Sequence, residues 1–263
     1  MKPNAKRLIM NLMAAGVDWP LTARNAVTAC ALFGVSESSV RVTLNRLTTE
    51  GLIEARERGV YQLTLHARKM ADDVRGWRHA LNQLKTWRGH WIGVQTGHLG
   101  RSDRAALRRR ERALELSGFR ELERGLYLRP DNLRGGVAGV RERLTQRGLD
   151  DEAIVFGLRE LDADRDEQAR ALWDTGKQVA DYQATRAELS DWLERAHKLE
   201  PEEAARESFV IGDRAIRQMV YDPLLPAELT DAGERRAFFD VLLEYDRRGH
   251  EIWSELYRHA RDS

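Results

Sequence analysis

The sequence predicts an α+β chain in three parts: a winged helix-turn-helix with a connecting helix over residues 1–86, a ferredoxin-like β-α-β-β-α-β unit over 87–160, and an all-helical unit over 161–263. Three observations carry that reading. Helical periodicity recurs three times before a short hairpin centred on glycine. Short apolar runs then alternate with two helical ones, and from Asp166 onward only helical periodicity remains. A length of 263 residues suits two or three compact units, each able to bury a core.

In the first part, Leu8, Leu12 and Ala15 repeat at helical spacing, and Val27, Cys30 and Ala31 mark an apolar stripe across Ala23–Phe33. Gly34 closes that second helix. Ser36 suits the N-cap of a third, in which Val40, Leu44 and Leu47 recur at i, i+4 and i+7 until Gly51. Projection at about 100° per residue puts Ser38, Val42 and Asn45 opposite that stripe, with Ser39, Arg41 and Arg46 on its flanks. Leu52–Arg56 and Val60–Leu65 then read as strands around Glu57-Arg58-Gly59. This is the winged helix-turn-helix order, whose third helix enters a major groove. Asn45 suits adenine, Arg41 or Arg46 suits guanine or a phosphate, and Val42 suits a thymine methyl. Arg56 and Arg58 on the wing suit phosphates. The alternative use of such a fold is a protein-interaction scaffold.

His66–Leu84 reads as the connecting helix, with Met70, Val74, Trp77, Leu81 and Leu84 at helical spacing and Trp77 in the core. The pattern then changes to a strand at Trp91–Val94, a helix at Asp103–Ser117, strands at Phe119–Leu122 and Leu126–Leu128, a helix at Val137–Arg147 and a strand at Ala153–Leu158. That order is the split β-α-β arrangement. Its first helix holds the densest positive run, Arg108-Arg109-Arg110-Glu111-Arg112. The run reads either as a solvated face balanced by Glu111 and Glu115, or as a surface for phosphates of DNA or of a coenzyme A moiety. Arg134-Gly135-Gly136 opens the second helix, where backbone N–H groups favour anions.

The last part reads as helices at Ala169–Trp173, Val179–Leu199, Glu202–Tyr221 and Glu234–Ala260. Asp222-Pro223-Leu224-Leu225-Pro226 interrupts the last two, because each proline restricts its own backbone and that of its predecessor. Phe238, Leu242, Tyr245, Gly249, Ile252, Trp253 and Leu256 share one face, suited to a bundle core, a ligand pocket or a dimer contact.

The formal net charge of +1 conceals a division. Residues 1–70 hold 10 Lys/Arg against 5 Asp/Glu, residues 71–150 hold 17 against 10, and residues 151–263 hold 16 against 27. A basic first half points to a polyanionic partner, and the acidic remainder to a different task such as oligomerisation. No apolar run of about 18 residues could span a bilayer, and the opening Met-Lys stretch is too short in apolar residues for a secretory signal. One cysteine, Cys30, excludes an intramolecular disulfide and suits the cytoplasm. The seven histidines show no metal-ligand spacing, and no GxSxG, P-loop or GxGxxG sequence occurs, so neither a catalytic group nor a metal nor a cofactor is expected.

Several stretches in this order resemble the PaaX family of bacterial repressors of phenylacetic-acid degradation. They are SESSVRVTLNRLTTEGLI with the wing ERGVYQLT, WIGVQ followed by RALELSGFRELERGLYLRP, and RQMVYDPLLPAEL. The resemblance spans nearly the whole chain. It implies a winged-helix DNA-binding domain, a middle domain similar to the ferredoxin-like Cas2 proteins, a helical C-terminal domain, and repression of aromatic catabolism relieved by an aromatic acyl-CoA such as phenylacetyl-CoA. The effector's phosphates are then expected at Arg108, Arg109, Arg110 or Arg134, and a homodimer joined through the helical unit is expected on double-stranded operator DNA. The likeness to Cas2 raises a metal-dependent nuclease as the alternative. Against it, Gln95, Thr96 and Gly97 end the first strand where a metal-binding carboxylate would stand, and Asp103 lies beyond the loop.

Overall fold

The computed structural model describes residues 4–15, 21–68 and 76–262. The chain sorts into two compact units, one of residues 1–78, 186–217 and 240–263, the other of residues 79–185 and 218–239. Three long helices, α7 (Thr175–Arg195), α8 (Pro201–Val220) and α9 (Ala232–Asp262), each contribute to both.

In the first unit, α1 (Ala5–Ala15), α2 (Ala23–Ala31) and α3 (Glu37–Thr49) pack around Leu8, Ile9, Ala26, Cys30, Val40, Leu44 and Leu47, all essentially inaccessible. The caps explain the boundaries. Thr22 Oγ1 accepts from the Asn25 N–H at 3.0 Å to start α2, and Ser36 Oγ accepts from the Ser39 N–H at 3.3 Å to start α3. Gly34 (φ 75°) and Gly51 (φ 68°) end the two helices in the left-handed region. Three antiparallel strands follow in the order β1-β3-β2, where β1 is Leu21–Thr22, β2 is Ile53–Glu57 and β3 is Val60–Leu63. The two-residue β1 is too short to show a sequence period; it pairs Leu21 with Tyr61 and Thr22 with Val60. On α1 the buried stripe is Leu8, Ile9 and Met13, one position away from the predicted Leu12.

The same core takes Phe209 of α8 against it. Arg7 and the Asn11 amide of α1 both donate to Asp213, Asn11 Nδ2 at 2.6 Å from Oδ1. Trp192 and Tyr245 pack with ring centroids 4.5 Å apart, and Arg78 grips Asp246 through two hydrogen bonds of 2.8 Å.

The predicted connecting helix departs from expectation. Residues 65–68 are helical, Met70 and Val74 lie outside the described residues, and Gly76–Gln83 winds as a 3-10 helix. The cause is tertiary. Leu84 bridges Leu133, the Arg134 N–H donates to the Gln83 carbonyl at 2.7 Å and the Lys85 N–H donates to the Asn132 carbonyl at 2.8 Å, which draws this stretch out of α-helical pairing. Trp77 is buried as expected.

In the second unit, β4 (Trp91–Gln95), α4 (Arg104–Leu116), β5 (Arg120–Glu123), β6 (Leu126–Pro130), α5 (Gly136–Gln146) and β7 (Ile154–Leu158) make a four-stranded sheet in the order β5-β6-β4-β7, every neighbouring pair antiparallel. Alternation along β4 divides the core. Ile92 and Val94 join Ala113, Leu114, Val140 and Leu144 under α4 and α5, whereas Trp91 joins Trp87, Leu128, Ala169, Trp173 and Leu225 on the other face. Helix α6 (Ala163–Arg170) begins earlier than the predicted Ala169, because Asp162 caps it by accepting from the Arg165 N–H.

The segment Asp222–Pro226 is held from four sides. Arg129 and Asn132 donate to the carbonyls of Pro223 and Leu224, Arg235 donates to the Leu225 carbonyl, and the Tyr182 hydroxyl donates to Asp222. Asp222 Oδ1 in turn accepts from the Leu224 N–H at 2.7 Å, which holds Leu224 at φ 53°, a left-handed conformation rare outside glycine. Burial raises the carboxyl of Asp222 above its usual range and lowers the guanidinium of Arg129 to about 9.

Candidate nucleic-acid interface

Helix α3 buries Val40, Leu44 and Leu47 and turns its other side to solvent. Ser38, Ser39, Arg41, Val42, Asn45 and Arg46 are all exposed, and Val42 keeps 66% of its surface. A branched apolar side chain left so open on a polar face has nothing of its own unit to pack against. The residues differ in what holds them. Ser36 Oγ lies 3.1 Å from Ser38 Oγ and donates to Ser39 Oγ at 2.9 Å, so both serines belong to the cap. Arg41 donates to Glu37 at 2.8 and 2.6 Å, and Arg46 donates to Glu50 at 2.8 Å. The side chain of Asn45 makes no hydrogen bond among the described residues, so its amide presents both donor and acceptor outward. Arg56 on β2 and Arg58 in the turn after it are exposed.

One basic residue beside this face has no signal in the sequence. Lys6 on α1 donates to Glu50 at 2.6 Å, and this contact, followed by that of Arg46, holds the Glu50 carboxyl below the usual range. No local pattern links residues 6 and 50; the packing of α1 on α3 does.

The four arginines expected to meet an effector are treated differently by the fold. Arg108 and Arg109 are exposed on α4, and Arg134 is exposed just before α5. Arg110 is buried, its Nε donating to Asp150 Oδ2 at 2.7 Å, so its charge is committed inside the unit. That contact lowers the Asp150 carboxyl. No bond joins Arg134 to the arginines of α4 among the described residues. In the same unit, an open cleft of about 470 Å³ is lined by Lys85, Thr86, Arg88, His90 and Asp131. Lys85 pairs with Asp131 at 2.8 Å there, and no motif in the sequence marks Arg88 or His90 as its neighbours. Among the described residues, no cluster of three or more His, Cys, Asp or Glu side chains could hold a metal. Asp103 is occupied as the N-cap of α4, and the N–H groups of Ala106 and Ala105 that it accepts lower its carboxyl.

Comparison with known proteins adds three findings. Residues 173–255 match the family model described as the PaaX-like protein C-terminal domain. The fold is similar to the uncharacterized protein Rv0674 from Mycobacterium tuberculosis, at a TM-score of 0.59 and 25% identity, over 95% of this chain and 98% of that one. No curated protein matches.

Proposed function

Because this chain carries a PaaX-like C-terminal domain, we propose that it is a DNA-binding transcriptional repressor. In this reading α1, α2, α3 and the β2–β3 hairpin form a winged helix-turn-helix, and β4 to β7 with α4 and α5 form a ferredoxin-like unit of the split β-α-β kind. The observation that carries it is the face of α3, which combines an unbonded Asn45, a solvent-facing Val42 and flanking Arg41 and Arg46 on a helix otherwise buried in its core. Asn45 and Val42 read base edges, and Arg56 and Arg58 meet phosphates.

The test selects the preferred duplex from random sequence and titrates variants at several salt concentrations. Asn45→Ala should cost about 1–3 kcal/mol on that duplex and relax preference at one position, whereas Arg58→Ala should weaken all sequences alike. Equal, sequence-independent losses for Asn45→Ala would refute base reading by this helix.

The repressor acts as a homodimer on a two-fold operator, which sedimentation of the whole chain across concentration measures. It is released by an aromatic acyl-CoA thioester, of which phenylacetyl-CoA is the probe. The cleft lined by Lys85, Thr86, Arg88, His90 and Asp131 lies within the roughly 300–1,000 Å³ range of ligand sites, and with Lys85 paired to Asp131 it is Arg88 that offers a cation to a phosphate. Linkage requires operator DNA and effector to weaken each other equally. Calorimetry with and without operator therefore tests the effector, and equal binding in both conditions excludes it.

A further inference from the structure

The arginines of α4 fall into two groups. Arg110 is buried against Asp150, and the stem of Arg109 lies over Gly148, whose added Cβ would come within 3.0 Å of it. Arg104, Arg108 and Arg112 instead stand at i, i+4 and i+8, one above the other and exposed, with Arg101 just before the helix. None of these four makes a hydrogen bond or ion pair among the described residues. Glu111 and Glu115 share the stripe yet close on no arginine.

On four other helices, surface arginines are instead paired. Arg41 pairs with Glu37, Arg46 with Glu50, Arg170 with Asp166, Arg195 with Asp191 and Arg247 with Glu251, each four residues apart on its own helix. On α4 the same spacing sets arginine above arginine, and like charges one turn apart disfavour a helix. Arg104 also sits in the first turn, at the positive end of the helix dipole, where the Asp103 carboxylate is taken up in capping the Ala105 and Ala106 N–H groups. The row thus leaves three guanidinium groups without a fixed partner on one side of the helix, open to an external polyanion.

We propose that Arg104, Arg108 and Arg112 dock along the phosphodiester backbone of duplex DNA, as a sequence-independent surface additional to α3. At 1.5 Å rise per residue the row spans about 12 Å, longer than one diphosphate group and matched to a duplex that carries one charge per roughly 1.7 Å of axis. Each guanidinium offers its planar fork to a phosphate. The inference rests on the DNA-binding reading above and adds a second surface to it.

The test uses the whole protein and a mixed-sequence duplex of about three helical turns, titrated over a range of salt. The triple variant Arg104→Gln, Arg108→Gln, Arg112→Gln should bind more weakly, and its slope of log affinity against log salt should be shallower by about 2–3, close to one for each phosphate that an arginine no longer neutralises. Glu111→Gln should tighten binding. Thermal unfolding of the triple variant should stay close to that of the native chain, since only exposed side chains without a bonded partner are changed. A native chain that binds duplex with a slope the triple variant leaves unchanged overturns this inference alone, while a native chain that binds no duplex overturns the repressor reading with it. Weaker pyrophosphate binding by the triple variant with an unchanged DNA slope would make the row a small-anion site and would also overturn it.

Discussion

Phe33 packs edge-on against Phe209, with ring centroids 5.3 Å apart and planes at 63°. Phe33 lies in the turn between α2 and α3, and Phe209 lies on α8, one helical turn before the Asp213 that holds Arg7 and Asn11. Trp253 of α9 stands behind Phe209 at 6.4 Å and donates its indole N–H to Ser208 Oγ at 3.1 Å. The turn leading into the exposed face of α3 is thus braced by helices more than 150 residues further along the chain.

Phe209→Ala removes that brace. A fully buried phenylalanine costs about 3–5 kcal/mol on truncation, and the partial exposure of Phe209 brings the expected loss to about 2 kcal/mol. Urea denaturation measures it. Phe209→Leu should recover more than half, and an Ala variant as stable as the native chain would deny Phe209 any part in this core.

Breaking the pair of Arg110 and Asp150 strands a buried charge. Asp150→Asn should cost about 3 kcal/mol at neutral pH, because Arg110 stays buried without its carboxylate. The pH dependence follows from the lowered Asp150 carboxyl, whose contribution is full above the ordinary aspartate pKa and is lost as pH falls through the lower folded value. Acid unfolding of the native chain should be steeper in that window than that of Asp150→Asn. Parallel curves would mean that the pair carries no pH-linked stability.

Gly93 sits beneath the ring of Phe156, its partner across β4 and β7. A Cβ at residue 93 would stand 2.5 Å from Phe156 Cζ, inside van der Waals contact. Gly93→Ala should cost about 1–3 kcal/mol from overpacking. Combined with Phe156→Ala it should cost much less than the sum of the two single changes, and strict additivity in the double-mutant cycle would rule out the clash.

What is legible in the sequence is local. Ser36, Gly34 and Gly51 announce the limits of α2 and α3 because caps and left-handed glycines act within a few residues, and the i, i+4, i+7 stripe of Val40, Leu44 and Leu47 is a helix property. The exposure of Ser38, Val42 and Asn45 follows from the same projection. The fate of Arg110 does not, since its partner Asp150 lies 40 residues away and a single residue along the helix separates burial from exposure. Arg129 carries no local signal at all, because its partner Pro223 lies 94 residues off and no periodicity marks a cation that bonds to carbonyls. The 3-10 turn at Gly76–Gln83 is hidden for a like reason, as the bridge from Leu84 to Leu133 competes with a helical pattern that is locally sound.

The aromatic brace also sets a timetable for synthesis. Phe33 leaves the ribosome about 220 residues before Trp253, which at roughly 5–20 residues per second is an interval of ~10–45 s. For most of it the first three helices expose the apolar surface that Phe209 later covers, while the sheet of the second unit already has all its strands. In the nascent chain, then, the unit encoded first is completed last, and its half-built core is the surface that a chaperone has reason to hold.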